Sequence, residues 1–385
     1  MVDCSGTEGQ MNNDDEIRSW LHLHLTSGVG PTIFRQLLDT FGSASAALRA
    51  DRSALASITG IGSLRAERIA SARAQVAVDK ELSLIAKEGI ALLTWDSQAY
   101  PVGLKNIHDP PPVIYVRGQL EPEDATAIAI VGTRQPSRYG LEQAERFAAA
   151  LSRAGFTIVS GLARGIDSAA HQGAIKAGGR TIAVQGCGLS RVFPPENADL
   201  CRTIAENGAV ISELPMLAEP LAENFPKRNR IISGLSLGVL VIEGPLRSGA
   251  MITARTAMEQ GREVFALPGR VDNAASAGTN QLIKDGACLV TSLEDILDEL
   301  GDLGQQMRAG TEQADRPPSS PTLPGNLSQT ERAILSAAAD DPLTVDEVCA
   351  ATELSAGEVS ASLTMLQLKG LIRPLAGARF LRVKR

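Results

Sequence analysis

The chain has 385 residues, more than the roughly 250 to 300 that one hydrophobic core accommodates, so at least two domains are expected. Hydrophobic residues make up 44% and charged residues 21%, a globular composition. The 37 basic and 44 acidic side chains give a net charge of −7, so the chain lacks the bulk positive charge of a general polyanion binder, and any anion site must be local. Cys4, Cys187, Cys201, Cys288 and Cys349 form no CxxC pair, which argues against a zinc site and a disulfide framework and favours a reducing compartment. No basic segment with an apolar run opens the chain, and no stretch approaches the ~18 apolar residues of a membrane span. The expectation is a cytoplasmic protein with no membrane segment.

Residues 1–127 hold 11 basic and 16 acidic side chains, residues 128–300 hold 17 and 18, and residues 301–385 hold 9 and 10. A positive patch therefore belongs in the middle region. Near the start, two Gly-x-Gly turns, Gly28-Val29-Gly30 and Gly60-Ile61-Gly62, each precede a helical pattern. Such turns suit helix-hairpin-helix units whose backbone amides approach a phosphate. They equally suit a small helical bundle, the plainer reading. The triple proline Pro110-Pro111-Pro112 forbids helix and leads by extended chain into the next region, with a soft boundary near residue 125.

From residue 128 short aliphatic runs alternate with helical stretches. Residues 128–131, 156–160, 181–186, 209–214, 238–243 and 263–268 read as buried strands, and the alternation predicts an α/β doubly wound, mostly parallel sheet. Residues 301–326 carry four prolines and few large apolar side chains, and read as a linker. Three helical patterns and a terminal hairpin follow, a winged-helix layout. Its third helix has a single cation, Lys369, at its end, so a protein-interaction or regulatory module is favoured over duplex reading, although six cations fall between Lys369 and Arg385.

In a doubly wound sheet the ligand sits beyond the C-terminal strand ends. The first such loop, Gly132-Thr133-Arg134-Gln135-Pro136-Ser137-Arg138, is not GxGxxG, and the second strand ends in Ser160-Gly161 where a ribose-binding acid would stand, which disfavours a dinucleotide. No GxxxxGK[ST] occurs. What remains is a glycine-and-hydroxyl turn with two arginines, suited to phosphate. In the second loop Asp167 and His171 are four residues apart on one helix face; without a nucleophile or metal at a recognisable spacing, a helix-start carboxylate and a hydrogen-bonded histidine are the favoured reading. The richest stretch is Asn224-Phe225-Pro226-Lys227-Arg228-Asn229-Arg230, a cationic first turn of a buried helix aimed at an anion. After the fifth run, Glu243-Gly244-Pro245-Leu246-Arg247-Ser248-Gly249 offers free amides at another helix start.

Taken in order, VGTR, VSGLARGIDSAAHQGA, GCG, FPKRNRIISGLS, VLVIEGPLRSGAMITA and LPG resemble the DprA/Smf family of bacterial DNA-processing proteins over roughly residues 90 to 300. The resemblance implies an extended Rossmann-like domain over 91–300, an N-terminal helical domain of helix-hairpin-helix or SAM-like type over 1–90, the linker, and a winged helix over 327–385. It further implies single-stranded DNA binding without sequence preference, homodimerisation, and delivery of the strand to the RecA recombinase in natural transformation and recombination, with neither catalysis nor cofactor. Carried over by position, Arg134, Lys227, Arg228 and Arg230 would hold the DNA backbone, and the full candidate set adds Gly132, Thr133, Ser160, Gly161, Arg164, Asn229, Ser248 and Gly249. Arg134 and the Lys227–Arg230 cluster are expected to meet at one edge of the sheet, where Phe225 can stack on a base. Apolar residues in 281–283 and 287–290 are expected at a dimer interface. The alternatives are a structural adaptor and a Rossmann-like nucleoside-monophosphate phosphoribohydrolase, which would need a GGxGTxxE helix start; residues 248–255 lack that glutamate.

Overall fold

In a computed structural model, the described residues are 5–314, 327–337, 343–352, 354–369, 371–375 and 379–382. They fall into two compact units, Met1–Asp315 and Arg316–Arg385. The first opens with helices α1 (Ser5–His24), α2 (Pro31–Phe41), α3 (Ala44–Arg49), α4 (Arg52–Ala56), α5 (Ser63–Gln75) and α6 (Val78–Glu88). The turns before α2 and α5 contain Gly28 at φ 89° and Gly60 at φ 84°, in the left-handed region that glycine enters without a Cβ penalty. Trp20 of α1 and Phe34 of α2 stack with ring centroids 4.7 Å apart, and Trp95 closes on both at 5.8 and 5.6 Å.

The chain then forms β1 (Ala91–Thr94), α7 (Val102–Lys105), β2 (Val113–Gly118), β3 (Ala127–Val131), α8 (Arg138–Arg153), β4 (Thr157–Ser160), α9 (Ile166–Lys176) and β5 (Thr181–Val184). It continues through α10 (Ala198–Asn207), β6 (Ala209–Ser212), α11 (Asn224–Gly234), β7 (Gly238–Val241), α12 (Gly249–Glu259) and β8 (Glu263–Ala266). Helix α13 (Ala277–Lys284), β9 (Cys288–Leu289), α14 (Leu293–Glu299) and α15 (Gly301–Ala314) complete the unit. The strands make one nine-stranded sheet in the order β1-β2-β6-β5-β4-β3-β7-β8-β9. From β6 to β9 the neighbours pair in parallel, and β2 joins antiparallel to β6 with β1 outside it. The fold is α/β, an extended Rossmann-like sheet.

Both faces of the sheet are covered, which is why its strands read as unbroken apolar runs. Along β3, Ala127, Ala129 and Val131 face the cluster that also holds Trp20, Phe34 and Trp95, whereas Ile128 and Ile130 face the cluster under α8 and α9. The helices before residue 90 therefore share a core with one face of the sheet.

Two expectations need correction. Residues 301–314, read as linker, are helix α15; Met307 packs on the cluster beneath α8, and Arg308 pairs with Asp298 of α14. Gly304 is buried and Leu303 and Met307 are half-buried, a narrow stripe at helical spacing that the polar composition of the segment masks. The proline-rich remainder, 315–326, lies outside the described residues. Of the segments expected at a dimer interface, Leu282 and Val290 turn into the chain's own core, and Leu289, on the edge strand β9, is 47% exposed.

The second unit contains α16 (Gln329–Ala337), β10 (Leu343–Thr344), α17 (Val345–Thr352), α18 (Ala356–Leu368), β11 (Ile372–Leu375) and β12 (Arg379–Arg382), with the strands ordered β10-β12-β11. This is the winged helix, built around Ile334, Leu335, Val348, Val359, Leu363, Leu366 and Ile372. Ser355 and Glu358 cap α18 reciprocally, and Lys369 bonds Glu331 at 2.7 Å. Lys384 and Arg385 lie outside the described residues. Among the described residues no helix is long and apolar enough to cross a membrane, no group of histidine, cysteine and carboxylate side chains is arranged to hold a metal, and Cys187, Cys201, Cys288 and Cys349 are free thiols. Cys4 lies outside them.

Candidate nucleic-acid interface

Successive strands run outward from β3 through β4, β5 and β6, and β7 and β8 then extend the sheet from the other side of β3. Ligands of doubly wound sheets bind at this reversal, beyond the C-terminal strand ends. A cleft of about 590 Å³ opens there, lined by Gly132, Thr133, Arg134, Phe193, Phe225, Arg228, Asn229, Ser248, Gly249 and Ile252 among others.

Tight backbone approaches build the cleft. A Cβ on Gly132 would lie 2.5 Å from Ile166 Cγ1 and 2.8 Å from the Glu243 carbonyl oxygen, so only glycine allows the end of β3 to meet α9 and the end of β7. The Thr133 amide then donates to that Glu243 carbonyl at 2.7 Å. The buried Glu243 carboxylate accepts from the Ser137 amide at 2.9 Å and the Ser137 hydroxyl at 2.6 Å, beside the positive end of the 16-residue helix α8. Glu243 is thus committed to holding the 132–137 turn in place.

Arg228 is 4% exposed. Its Nη1 donates to the carbonyls of Gly161, at 2.7 Å, just past β4, and of Val184, the last residue of β5, and its Nε bonds Asn229 Oδ1. Burial lowers its pKa to about 10, against the pull of Asp167 in the opposite direction. Asp167 is buried alongside, and desolvation raises its pKa although Arg228 and the amides of Ala163 and Gly161 favour its charged form. A Cβ on Gly161 would sit 2.6 Å from Arg228 Nη2 and 2.7 Å from Asp167 Oδ2, which explains the glycine after Ser160.

Above this floor lies an aromatic step. Arg134 Cζ is 5.3 Å and Arg228 Cζ 5.9 Å from the Phe225 ring centroid, and Phe193 meets the same ring at 5.5 Å. Arg134 is exposed and forms no salt bridge with the described residues. Ser248 is the N-cap of the 11-residue α12, Asn229 Nδ2 donates to the Gly249 carbonyl at 3.3 Å, and nothing lies within 4 Å of where a Gly249 Cβ would be. The cleft thus combines an exposed guanidinium, aromatic rings and a helix N-terminus, which suits a phosphate attached to a flat, apolar-faced group.

Of the residues proposed from the sequence, Gly132, Thr133, Arg134, Arg228, Asn229, Ser248 and Gly249 converge on this cleft, whereas Ser160, Gly161, Arg164, Lys227 and Arg230 do not line it. Ser160 is fully buried and ties β4 to β3 through the Ile130 carbonyl at 2.6 Å. Gly161 serves the floor. Arg164 is exposed and paired with Glu196, and Lys227 is exposed, 3.8 Å from Glu223. The expectation that the Lys227–Arg230 cluster meets Arg134 as a unit is corrected here. At 100° per residue α11 turns the buried Arg228 away from the side shared by Lys227 and Arg230, and Arg230 is only 12% exposed, bonded to Glu213 and 3.0 Å from Asp109. The other half of this pair is also constrained: desolvation raises the Glu213 pKa, opposed by Arg230.

His171 behaves as a structural histidine. It is fully buried, its Nδ1 is 2.7 Å from Thr181 Oγ1, and burial pushes it down to about 3. The sequence reading missed Phe193, Pro220, Ala222 and Ile252. An aromatic or proline residue in a loop after a strand is a signal that could have found Phe193 and Pro220; Ala222 and Ile252 carry no such signal.

This architecture defines a doubly wound protein with a phosphate-suited cleft, flanked in sequence by a helical region and a winged helix. Family models agree: DNA recombination-mediator protein A matches residues 91–301, the DprA winged helix domain residues 315–378, and the DprA-like N-terminal HHH domain residues 14–74. The chain belongs to the DNA recombination-mediator protein A (DprA/Smf) family. It is 37% identical to Protein Smf of Synechocystis sp. over 94% of this chain and 98% of that one, and 44% identical to the DNA processing protein DprA of Streptococcus pneumoniae over 52% of this chain and 71% of that one. The X-ray structure of DprA from S. pneumoniae superposes with a TM-score of 0.65 at 34% identity, covering 73% of this chain and 97% of that one. A structure of DNA processing protein A from Helicobacter pylori, described for its single-stranded DNA binding mode, superposes with a TM-score of 0.50 at 31% identity over 55% of this chain and 95% of that one.

Proposed function

We propose that this chain binds single-stranded DNA without sequence preference and hands it to the RecA recombinase during transformation and recombination, working in the cytoplasm as a homodimer and without catalysis or cofactor. One observation carries the reading: Arg134 and Arg228 flank Phe225 in a cleft that also receives the α12 N-terminus. Cations and amides neutralise phosphates without reading base identity, and an aromatic ring accepts any base. The direct contacts fall to Thr133, Arg134, Ser248 and Gly249, while Arg228 and Asn229 shape the floor. Arg164 and Lys227 supply field at the rim, and Arg230, Ser160, Gly161 and Gly132 support the scaffold. The functional division is a helical region over 1–90, the strand-binding region over 91–300 with α15 appended, and the winged helix over 327–385. Two copies would join through the β9 edge, and two clefts on one dimer would raise avidity for a long strand by effective concentration.

The test is fluorescence anisotropy of labelled oligonucleotides of equal length, single-stranded and duplex, titrated at several salt concentrations. Tighter single-strand binding with little dependence on sequence is expected; tighter duplex binding at matched salt would refute the reading. Light scattering at micromolar protein tests the dimer, and RecA-driven strand exchange with and without the protein tests delivery. Incubation with nucleoside monophosphates tests the hydrolase alternative, against which the glutamate-free start of α12 argues.

A further inference from the structure

Two loops that carry cleft residues are fastened to the last helix of the N-terminal region. Phe193 ends the loop after β5, while Pro220 and Ala222 belong to the loop between β6 and α11, and all three line the cleft. The two loops are joined to each other. The Gly188 amide donates to the Ala218 carbonyl and the Ser190 amide to the Met216 carbonyl, both at 3.0 Å. A Cβ on Gly188 would lie 2.1 Å from the Pro215 carbonyl oxygen, so this approach requires glycine. Both loops are then held by α6. Met216 N donates to Glu81 Oε1 at 2.7 Å, and Glu81 is buried. Ser190 Oγ donates to Glu88 Oε1 at 2.6 Å, and Arg117 Nη2 of β2 donates to Glu88 Oε2 at 2.6 Å.

We propose that Glu81 and Glu88 are positioning residues of the single-strand cleft: through Met216 and Ser190 they fix the paired loops that present Phe193, Pro220 and Ala222, so the N-terminal helices act on DNA through this wall. This rests on the single-strand reading above. Hydrogen bonds to carboxylates are stronger and more directional than neutral ones, and the Met216 amide has its bond in a buried setting where losing the acceptor is costly. Neither carboxylate lines the cleft.

The sign of the effect separates this role from plain electrostatics. Removing an acid makes the protein more positive, so a field effect would tighten DNA binding. A positioning role predicts the reverse. The experiment uses the full chain and a fluorescein-labelled oligo-dT, with anisotropy measured across salt concentrations and folding checked by thermal melting. Glu81→Ala is expected to weaken binding by about tenfold, since one charge-assisted bond is lost, with the log–log salt slope unchanged because no phosphate contact is removed. Glu81→Gln, whose amide oxygen still accepts from Met216, should bind as tightly as the unaltered chain or slightly more tightly. Ser190→Ala, a mild change that keeps the fold, should weaken binding by about threefold through Glu88. Hydrogen exchange at 214–223 should accelerate in Glu81→Ala and stay unchanged in Glu81→Gln. Unchanged or tighter binding by folded Glu81→Ala and Ser190→Ala would overturn the proposal, as would a Glu81→Gln variant as weak as Glu81→Ala. Absence of oligo-dT binding by the unaltered chain would instead refute the single-strand reading itself.

Discussion

The turn at 132–138 and the first turn of α11 look alike in sequence, each placing several cations beside a glycine or an asparagine after a strand. The fold uses them in opposite ways. Arg134 is exposed over Phe225, without a salt bridge to the described residues, whereas Arg228 is spent on the carbonyls of Gly161 and Val184 and Arg230 on Glu213 and Asp109. A cation whose donors are already matched by buried acceptors holds structure, and one whose donors face a cleft is available to a phosphate. Charge in the sequence does not distinguish these cases; partners do.

The largest effect that tests this contrast is on stability. Arg228→Met should cost about 3 to 5 kcal/mol in denaturant unfolding, because two carbonyls and the Asp167 carboxylate lose their buried partner. A stable Arg228→Met protein that had lost only oligonucleotide affinity would move Arg228 to the Arg134 class. Arg230→Ala should cost less, about 2 kcal/mol, since Asp109 is substantially exposed and Glu213 keeps partial access to water. Its folded fraction should retain the unaltered salt slope in oligonucleotide binding.

His171 extends the contrast to pH. Its folded pKa of about 3 lies below the ordinary 6.5, so between those values the unfolded chain binds a proton that the folded one excludes. Stability therefore falls as pH drops through that window, by at most about 1.4 kcal/mol per pH unit from this group. His171→Asn should flatten that slope in denaturant melts, even if it lowers stability at neutral pH. Arg134→Ala should behave in the opposite manner to Arg228→Met. Its stability should stay within about 0.5 kcal/mol, while single-strand affinity drops and the log–log salt slope falls by ~0.7, the share of one phosphate. An unchanged slope in the folded variant would show that Arg134 holds its loop and not DNA.

The sheet was legible because β3 to β8 are buried on both faces and so read as apolar runs, and the winged helix because three helical patterns and a terminal hairpin follow the proline-rich stretch. Strand β2 follows the triple proline, where extended chain was foreseen, but strand β1 and the antiparallel pairing of both strands were not. Helix α15 was missed because its buried stripe is narrow and its composition polar. In the site, Gly132, Thr133, Arg134, Ser248 and Gly249 were legible as loop residues at strand ends. The burial of Arg228 and Arg230 was not, because it depends on Gly161, Val184, Glu213 and Asp109, which are remote in sequence and are brought together only by the sheet order. Phe193 entered the cleft from a loop tied down by Glu88, a residue about a hundred positions earlier.

Lys227 provides the smallest and most discriminating effect, because it lies beside Arg228 in sequence but shares the exposure of Arg134. Its only salt bridge among the described residues is with Glu223, 3.8 Å away and one helical turn earlier, with both side chains largely exposed. Such a pair is worth roughly 0 to 1 kcal/mol and does not sequester the ammonium. Lys227 also lies outside the cleft lining, so it acts on a bound strand through its field and by transient contact. Lys227→Ala should therefore weaken single-strand binding by only about twofold at physiological salt and lower the slope by less than the ~0.7 of a full phosphate contact, with stability unchanged. Glu223→Gln should act in the opposite direction and by a similar factor, since it removes a charge that repels phosphate and releases the lysine. Both effects should vanish together as salt is raised, because exposed charges at this range are screened. A Lys227→Ala loss equal to that of Arg134→Ala, with the same change in slope, would place the ammonium on a phosphate and extend the contact surface from the cleft onto the outer face of α11.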